Sequence, residues 1–198
     1  MTQDFSELPP NLPIPVDDGA SDYAPRTLTD RLLGKNLPKI ILTSTSGNQI
    51  NLADIQGKIV LYCYPMTGQP GVELPADWDL IPGARGCTPQ SCSFRDHYQE
   101  LQALDAQVYG ISTQETSAQL EAQQRLHLPF ELLSDLDFKL TTALELPTFE
   151  VENKRLIKRL TLIAQSGKII KVFYPVFPPA QNAQDVIDWL NFKRRSLQ

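Results

Sequence analysis

Gly86-Cys87-Thr88-Pro89-Gln90-Ser91-Cys92-Ser93-Phe94-Arg95-Asp96 places two of the chain's three cysteines five residues apart at the start of an expected helix. Gly86 or Thr88 can end the preceding loop, and Pro89 suits a first helical turn. Phe94, Tyr98, Leu101 and Leu104 then recur at helical spacing. A thiol at a helix N-terminus lies beside unpaired backbone N–H groups and the positive end of the helix dipole. Both favour the thiolate, the reactive form of cysteine. Cys87 is therefore the candidate nucleophile. On the helix it shares a stripe with Phe94, Tyr98 and Leu101, whereas Cys92 is rotated roughly 140° away, with Arg95, Gln99 and Gln102 on a polar stripe expected near solvent. Five helical residues advance ~7.5 Å along the axis. A disulfide closes only below ~7 Å between Cα atoms without backbone movement, so joining the two cysteines requires the helix start to unwind.

Outward from this helix, residues 58–64 form a nearly continuous apolar run, Lys-Ile-Val-Leu-Tyr-Cys-Tyr, suited to a central strand covered on both faces. Residues 39–43 and 50–52 read as two short strands around Ser46-Gly47-Asn48. After the cysteine helix, strands are expected over 107–112 and 130–133. Helices are expected over 116–126 and over 138–144, the latter opened by Asp135 or Asp137. One strand over 156–164 and another over 168–173 flank Gln165-Ser166-Gly167, a hairpin signal, and residues 182–192 close the chain as an amphipathic helix. This order argues for an α/β layered fold with a mixed central sheet flanked by helices, compatible with a thioredoxin-like architecture.

Residues 1–36 read as an N-terminal extension broken by Pro9, Pro10, Pro13, Pro15 and Pro25, with a turn over 17–19 and a short helix over 27–33 capped by Thr27 or Thr29. It is expected to pack as a surface arm, an oligomer contact being the alternative. The domain proper is expected over 37–198. At 198 residues the chain is long enough for one good core, and 41% hydrophobic with 21% charged residues is ordinary for a globular protein. A net charge of −5 with no basic run before Lys193-Arg194-Arg195 excludes a nucleic-acid partner. No apolar run approaches the ~18 residues of a membrane span, and the first residues are not signal-like. A cytoplasmic location is expected. Three cysteines are too few for a secreted disulfide scaffold, so the close pair is read as catalytic, redox-active or metal-binding. Cys87, Cys92 and His97 form a C-x4-C-x4-H series, but zinc prefers four ligands on turns, and neither metal nor cofactor is expected. Cys63, in mid-strand, reads as a small buried hydrophobe.

Gly86-Cys87-Thr88, Cys92 and Phe94-Arg95-Asp96 closely resemble the active-site helix of peroxiredoxins of the AhpC/TSA superfamily, and most closely its Q-type, or bacterioferritin-comigratory, group. Val60 to Pro65, reading V-L-Y-C-Y-P, resembles that family's strand into the catalytic loop. Arg159-Leu160-Thr161-Leu162-Ile163 with Ser166-Gly167 resembles its arginine-bearing hairpin. The resemblance covers roughly residues 37–192 and implies a thioredoxin-like fold of the peroxiredoxin type. It implies a thiol peroxidase that reduces hydrogen peroxide or organic hydroperoxides. Cys87 would be the peroxidatic and Cys92 the resolving cysteine, joined in an intrachain disulfide and recycled by thioredoxin or a similar dithiol, as a monomer or homodimer. Arg159 also has support of its own: among apolar neighbours a guanidinium needs an anionic partner, and a thiolate serves. The alternatives are a thiol–disulfide oxidoreductase, disfavoured by the lack of C-x-x-C, and a redox-sensing binding protein without turnover.

The family's loop reads P-x-x-x-T-x-x-C, yet Leu80 and Ala84 stand where its proline and threonine belong. Pro65 and Thr67 occur instead on the far side of residues 68–85, which therefore read as an inserted loop. Pro65 is then expected to shield the thiolate and Thr67 to bond the peroxide. Trp78 between Asp77 and Asp79 leaves three roles open for the insertion: a lid, a reductase-docking surface or a stabilising flap. Arg85, next to the cysteine helix, is expected to be a solvated loop arginine, the alternative being that it lowers the Cys87 pKa.

Overall fold

The computed structural model describes residues 8–17 and 27–196. Asp18, Gly19 and Pro25 of the expected extension lie outside the described residues.

The central strand is β3 (Lys58–Cys63), and its unbroken apolar run serves both layers of the molecule. Ile59, Leu61 and Cys63 enter one core, while Val60, Tyr62 and the following Tyr64 enter the other, as the two-residue period of a strand demands. β3 pairs in parallel with β4 (Ala106–Ser112), which pairs in parallel with β5 (Leu132–Ser134). On its other side β3 runs antiparallel to β8 (Leu160–Gln165), and β8 to β9 (Lys168–Phe173). β1 (Ile41–Ser44) and β2 (Gln49–Asn51) extend the far edge, giving a seven-stranded mixed sheet of order β2-β1-β5-β4-β3-β8-β9. The layered α/β expectation holds.

The face that carries Tyr62 is covered by α2 (Cys87–Asp96), α3 (Tyr98–Ala103) and α6 (Asn182–Arg195), through Phe94, Leu101, Val186, Ile187 and Leu190. The cysteine helix is thus two helices, separated at His97, whose Nδ1 lies 2.9 Å from the Ser93 carbonyl. The opposite face is covered by α1 (Leu28–Leu32) and α5 (Lys139–Ala143). Thr27 caps α1 in a reciprocal capping box with Asp30. Leu28 and Leu32 are fully buried, so this end of the extension contributes to the core. Asp135 holds the start of α5, accepting from the Leu140 and Thr141 amides at 2.9 and 2.8 Å. α4 (Thr116–Arg125) packs against β5.

Two departures from the sequence reading matter for the site. The single strand expected over 156–164 is two strands: β7 (Lys154–Ile157) ends, Lys158 and Arg159 intervene, and β8 begins at Leu160. β7 pairs with β6 (Thr148–Val151) in a separate ribbon, closed by Glu152 and Asn153 at φ 46° and 62°. Both positive angles fit a two-residue type I′ hairpin turn. The break frees Ile157 to join the other core, so it does not share a layer with Ile163.

Candidate active site

Cys87 is the first residue of α2, and Gly86 is its N-cap at φ 111° with no side-chain cap. Only glycine fits there. A Cβ on Gly86 would stand 2.5 Å from Pro179 Cγ, in the segment leading into α6, and the left-handed angle is itself costly for other residues. The helix start is therefore pressed against the rest of the fold at Pro179.

Below α2, Tyr62 fixes the helix to the sheet. Its ring stacks on Phe94 at 4.5 Å between centroids, and its hydroxyl donates to Ser91 Oγ at 3.1 Å. Gly110, opposite Tyr62 in β4, leaves room for that ring: a Cβ would lie 2.6 Å from it. Burying Phe94 fully contributes about 1.5–3 kcal/mol to seating the helix. Burial pushes the Tyr62 phenol up, the neighbouring Tyr64 adding to the effect, so Tyr62 remains a hydrogen-bond donor.

Arg159 reaches Cys87 from the two-residue break before β8. It is 3% exposed, and its Nη2 lies 3.3 Å from Cys87 Sγ. The same nitrogen faces the carbonyls of Gly83, Ala84 and Arg85 at 3.3, 3.1 and 3.2 Å. Four acceptors converge on two hydrogens, so the guanidinium binds the thiol and the preceding loop together. Nη1 donates to Gln90 Oε1. Gln90 Nε2 in turn donates to Asn182 Oδ1 at 2.9 Å, which also accepts from Thr161 at 2.7 Å. Gln90 and Asn182 are both fully buried and escaped the sequence reading. A glutamine three residues into a helix carries no pattern signal of burial. The Cys87 thiol points toward the Ala84 carbonyl at 3.6 Å.

Cys87 is 4% exposed at the floor of a narrow recess walled by Met66, Gly68, Leu74, Trp78 and Arg85. Its free volume of about 10 Å³ admits one water-sized group. The loop 68–85 forms its cover. Trp78, at the head of a single 3-10 turn (Trp78–Leu80), is 4% exposed and packs with Ala84, Leu156, Met66, Leu74 and Phe149. Its ring stands 6.0 Å from that of Phe149 in β6, and Ala76 N–H donates to Glu152 in the ribbon's turn at 2.7 Å. The loop thus folds onto the ribbon that the sequence reading missed. Arg85 is not solvated as expected: its side chain is 11% exposed and paired with Asp79 at 3.3 Å.

Pro65 is buried at the end of β3, its carbonyl accepting from Ser112 Oγ at 3.3 Å. Thr67 is buried too, but its hydroxyl donates to Gln114 Oε1 at 3.3 Å, and Gln114 Nε2 donates to the Thr67 carbonyl at 3.4 Å. Thr67 lines the neighbouring cleft, while Met66 and Gly68 on either side of it line the Cys87 recess.

Cys92 is half-buried at the edge of the α2 core, less open than its polar stripe implied. Burial pushes its thiol up, with Arg95 opposing. Arg95 also pairs with Asp96 at 2.8 Å and donates to the Leu126 carbonyl at 2.9 Å, tying the end of α2 to the end of α4. All three cysteines are free. Cys63 lies in the opposite core from Cys87, where burial raises its thiol far above the ordinary range.

A sequence model of the Redoxin family matches residues 32–187. Peroxiredoxin Bcp of Bacillus subtilis (strain 168) is 31% identical over 144 residues, covering 70% of this chain and 82% of its own length. Peroxiredoxin Bcp of Escherichia coli (strain K12) is 31% identical over 162 residues, covering 79% and 94%. The crystal structure of peroxidoxin BcpB from Mycobacterium tuberculosis superposes with a TM-score of 0.65 at 22% identity, over 81% of this chain and 96% of that one.

Proposed function

The chain belongs to the Redoxin family, as a peroxiredoxin of the Bcp/Q group with the thioredoxin-like fold, and on that premise we propose how its own residues carry the thiol peroxidase reaction. Cys87 is the peroxidatic cysteine. Its thiolate bonds to one peroxide oxygen, the O–O bond breaks, and the other oxygen leaves with the electron pair to be protonated as water or an alcohol. Arg159 holds the thiolate and faces the oxygen on which charge develops. Cys92 is the resolving cysteine: its thiolate attacks the Cys87 sulfur of the sulfenic acid, the S–O bond breaks, the hydroxide takes a proton from solvent and leaves as water, and the intrachain disulfide that remains is reduced by a dithiol through exchange. The observation that carries the reading is the Arg159 Nη2 to Cys87 Sγ contact of 3.3 Å at a helix N-terminus.

Pro65 shields the site from the β3 side. Thr67 bonds the peroxide, which requires its hydroxyl to leave Gln114 and to turn from the neighbouring cleft into the Cys87 recess. Residues 37–198 act as the catalytic domain, with 68–85 as its inserted cover and 1–36 as its extension. The donor we assign is thioredoxin or a similar dithiol, and the location cytoplasmic, supported by a count of three cysteines, too few for a secreted disulfide scaffold. Among the described residues no helix is long and apolar enough to cross a membrane.

The test is a peroxide-dependent disulfide map with peroxide consumption under a thiol donor. Oxidation should link Cys87 to Cys92. Cys87→Ser should abolish consumption, and Cys92→Ser should leave a single sulfenate that only an added thiol reduces. A Cys63 link, or normal turnover by Cys87→Ser, would refute the assignment.

A further inference from the structure

The hydrogen bonds behind Arg159 run in one direction only. A guanidinium donates and never accepts, so the end of the Gln90 amide that meets Arg159 Nη1 must be its oxygen. That turns Gln90 Nε2 away from the guanidinium, where it needs an acceptor. Asn182 Oδ1 supplies one at 2.9 Å, and the same oxygen accepts from Thr161 Oγ1 at 2.7 Å. Gln90, Thr161 and Asn182 are all fully buried, so bulk solvent does not replace either bond.

Asparagine at a helix start usually caps its own helix. Asn182 opens α6, yet the N-cap there is Gln181, which makes no side-chain cap bond, and the bonds to Asn182 Oδ1 come from other elements. One oxygen thereby joins β8, α2 and α6. Asn182 Nδ2 is buried and finds no partner among the described residues, a cost that packing alone does not explain. What the residue contributes is its acceptor. The 3-10 turn just before it (Pro179–Gln181) places Pro179 against Gly86, so this one segment meets the cysteine helix both at its start and at Gln90.

We propose that Asn182 is a positioning residue for the peroxidase reaction: its Oδ1, steadied by Thr161, fixes the Gln90 amide with its oxygen toward Arg159, and so aims the guanidinium at Cys87 Sγ. The inference rests on the peroxidase reading and extends it to a residue that acts only through others. Without that oxygen Gln90 Nε2 loses its acceptor, and the amide is free to turn end over end and face Nη1 with a donor. Nη1 is then unpaired, and the Nη2 contact of 3.3 Å to the thiol loses its brace. The three loop carbonyls still hold Nη2, so the loss is partial.

The test measures kcat/KM for hydrogen peroxide in the full chain with dithiothreitol as reductant, on proteins that thermal melts show to be folded at the assay temperature. Asn182→Leu, which keeps the shape and removes the acceptor, should lower it about fivefold to tenfold. Asn182→Asp keeps an acceptor for both donors and should recover most of that loss. A residue that acts through Arg159 has nothing left to position once the guanidinium is gone, so Asn182→Leu added to Arg159→Ala should cost less than about twofold more. Thr161→Val, which spares the oxygen but removes one donor to it, should cost about threefold in the wild-type background and nothing further in Arg159→Ala. It carries the test if Asn182→Leu does not fold. A loss that persists in full on Arg159→Ala, no loss at all, or an Asp variant as slow as the Leu one would overturn the positioning role while leaving the peroxidase intact. Wild-type protein that reduced no peroxide would overturn the peroxidase reading and the positioning role with it.

Discussion

Replacing Arg159 separates what the guanidinium does for the thiol from what it does for the loop. Its Nη2 stands 3.3 Å from Cys87 Sγ. A unit charge pair about 4 Å apart at an effective dielectric of ~20 interacts by ~4 kcal/mol, an upper bound. Net values for hydrogen bonds to charged groups are about 1.5–3 kcal/mol. A loss of about 2–3 kcal/mol in the transition state lowers kcat/KM about 30- to 150-fold, and that is the expectation for Arg159→Ala. The same substitution leaves the carbonyls of Gly83, Ala84 and Arg85 and the Gln90 side chain without this donor. Each buried acceptor so abandoned costs about 1–3 kcal/mol, so stability falls as well. Arg159→Lys resolves the two effects, because an ammonium keeps the charge but cannot fork between thiol, loop and helix. It should recover about tenfold in rate over alanine while the melt stays low. Peroxide consumption with dithiothreitol, and thermal melts to verify folding at the assay temperature, read both quantities. An Arg159→Ala protein that is folded and consumes peroxide within about twofold of wild type would refute the role given to this residue.

Gly86→Ala should destabilise the protein by about 2–5 kcal/mol, from ~1–2 for a left-handed backbone and ~1–3 for overpacking against Pro179. A loss below about 1 kcal/mol in urea denaturation would show that the helix start shifts away from Pro179 freely. Burial, opposed by Arg95, raises the Cys92 thiol, and in the proposed mechanism its thiolate is the form that resolves the sulfenate. Disulfide formation after a peroxide pulse should therefore accelerate about tenfold per pH unit and continue past the ordinary thiol value of ~8.5. A plateau near pH 8 in quenched gels would contradict this. The sign for stability is the reverse. The unfolded thiol ionises first, so the reduced fold loses stability as pH rises through the ordinary thiol range.

Much of the site is legible because its chemistry needs particular residue types. A cysteine after a glycine, opening a helix of apolar period, marks Cys87. An arginine among apolar residues marks Arg159, since such a group demands a partner. Its backbone setting was less legible. The alternation of Ile157, Arg159, Thr161 and Ile163 runs on through a break that the sequence does not announce, and the turn at Glu152-Asn153 lacks the glycine that usually signals a tight hairpin. Missing that ribbon also hid the partner of the 68–85 loop. The three roles left open for that loop then narrow physically: Trp78 is buried against the ribbon and also walls the Cys87 recess, so stabilising the loop and covering the thiol are one arrangement.

The family motif fades just before Cys87, and the geometry explains why that segment needs no motif. Leu80 and Ala84 occupy the positions where the proline and threonine are expected. What the segment contributes instead is backbone: the carbonyls of residues 83, 84 and 85 converge on Arg159 Nη2, and that of Ala84 also faces the thiol. A carbonyl has the same chemistry whichever side chain its residue carries, so this contribution leaves no mark in the sequence. The requirement moves to the path of the chain. Gly86 enforces it at one end with its left-handed angle, and Trp78 enforces it from within by filling the space against Phe149. Because one guanidinium holds both the carbonyls and the sulfur, an error in loop packing is passed directly to the thiol. Substitutions at Ala84 that preserve the backbone path should therefore matter less than those at Trp78, which touches no reacting atom.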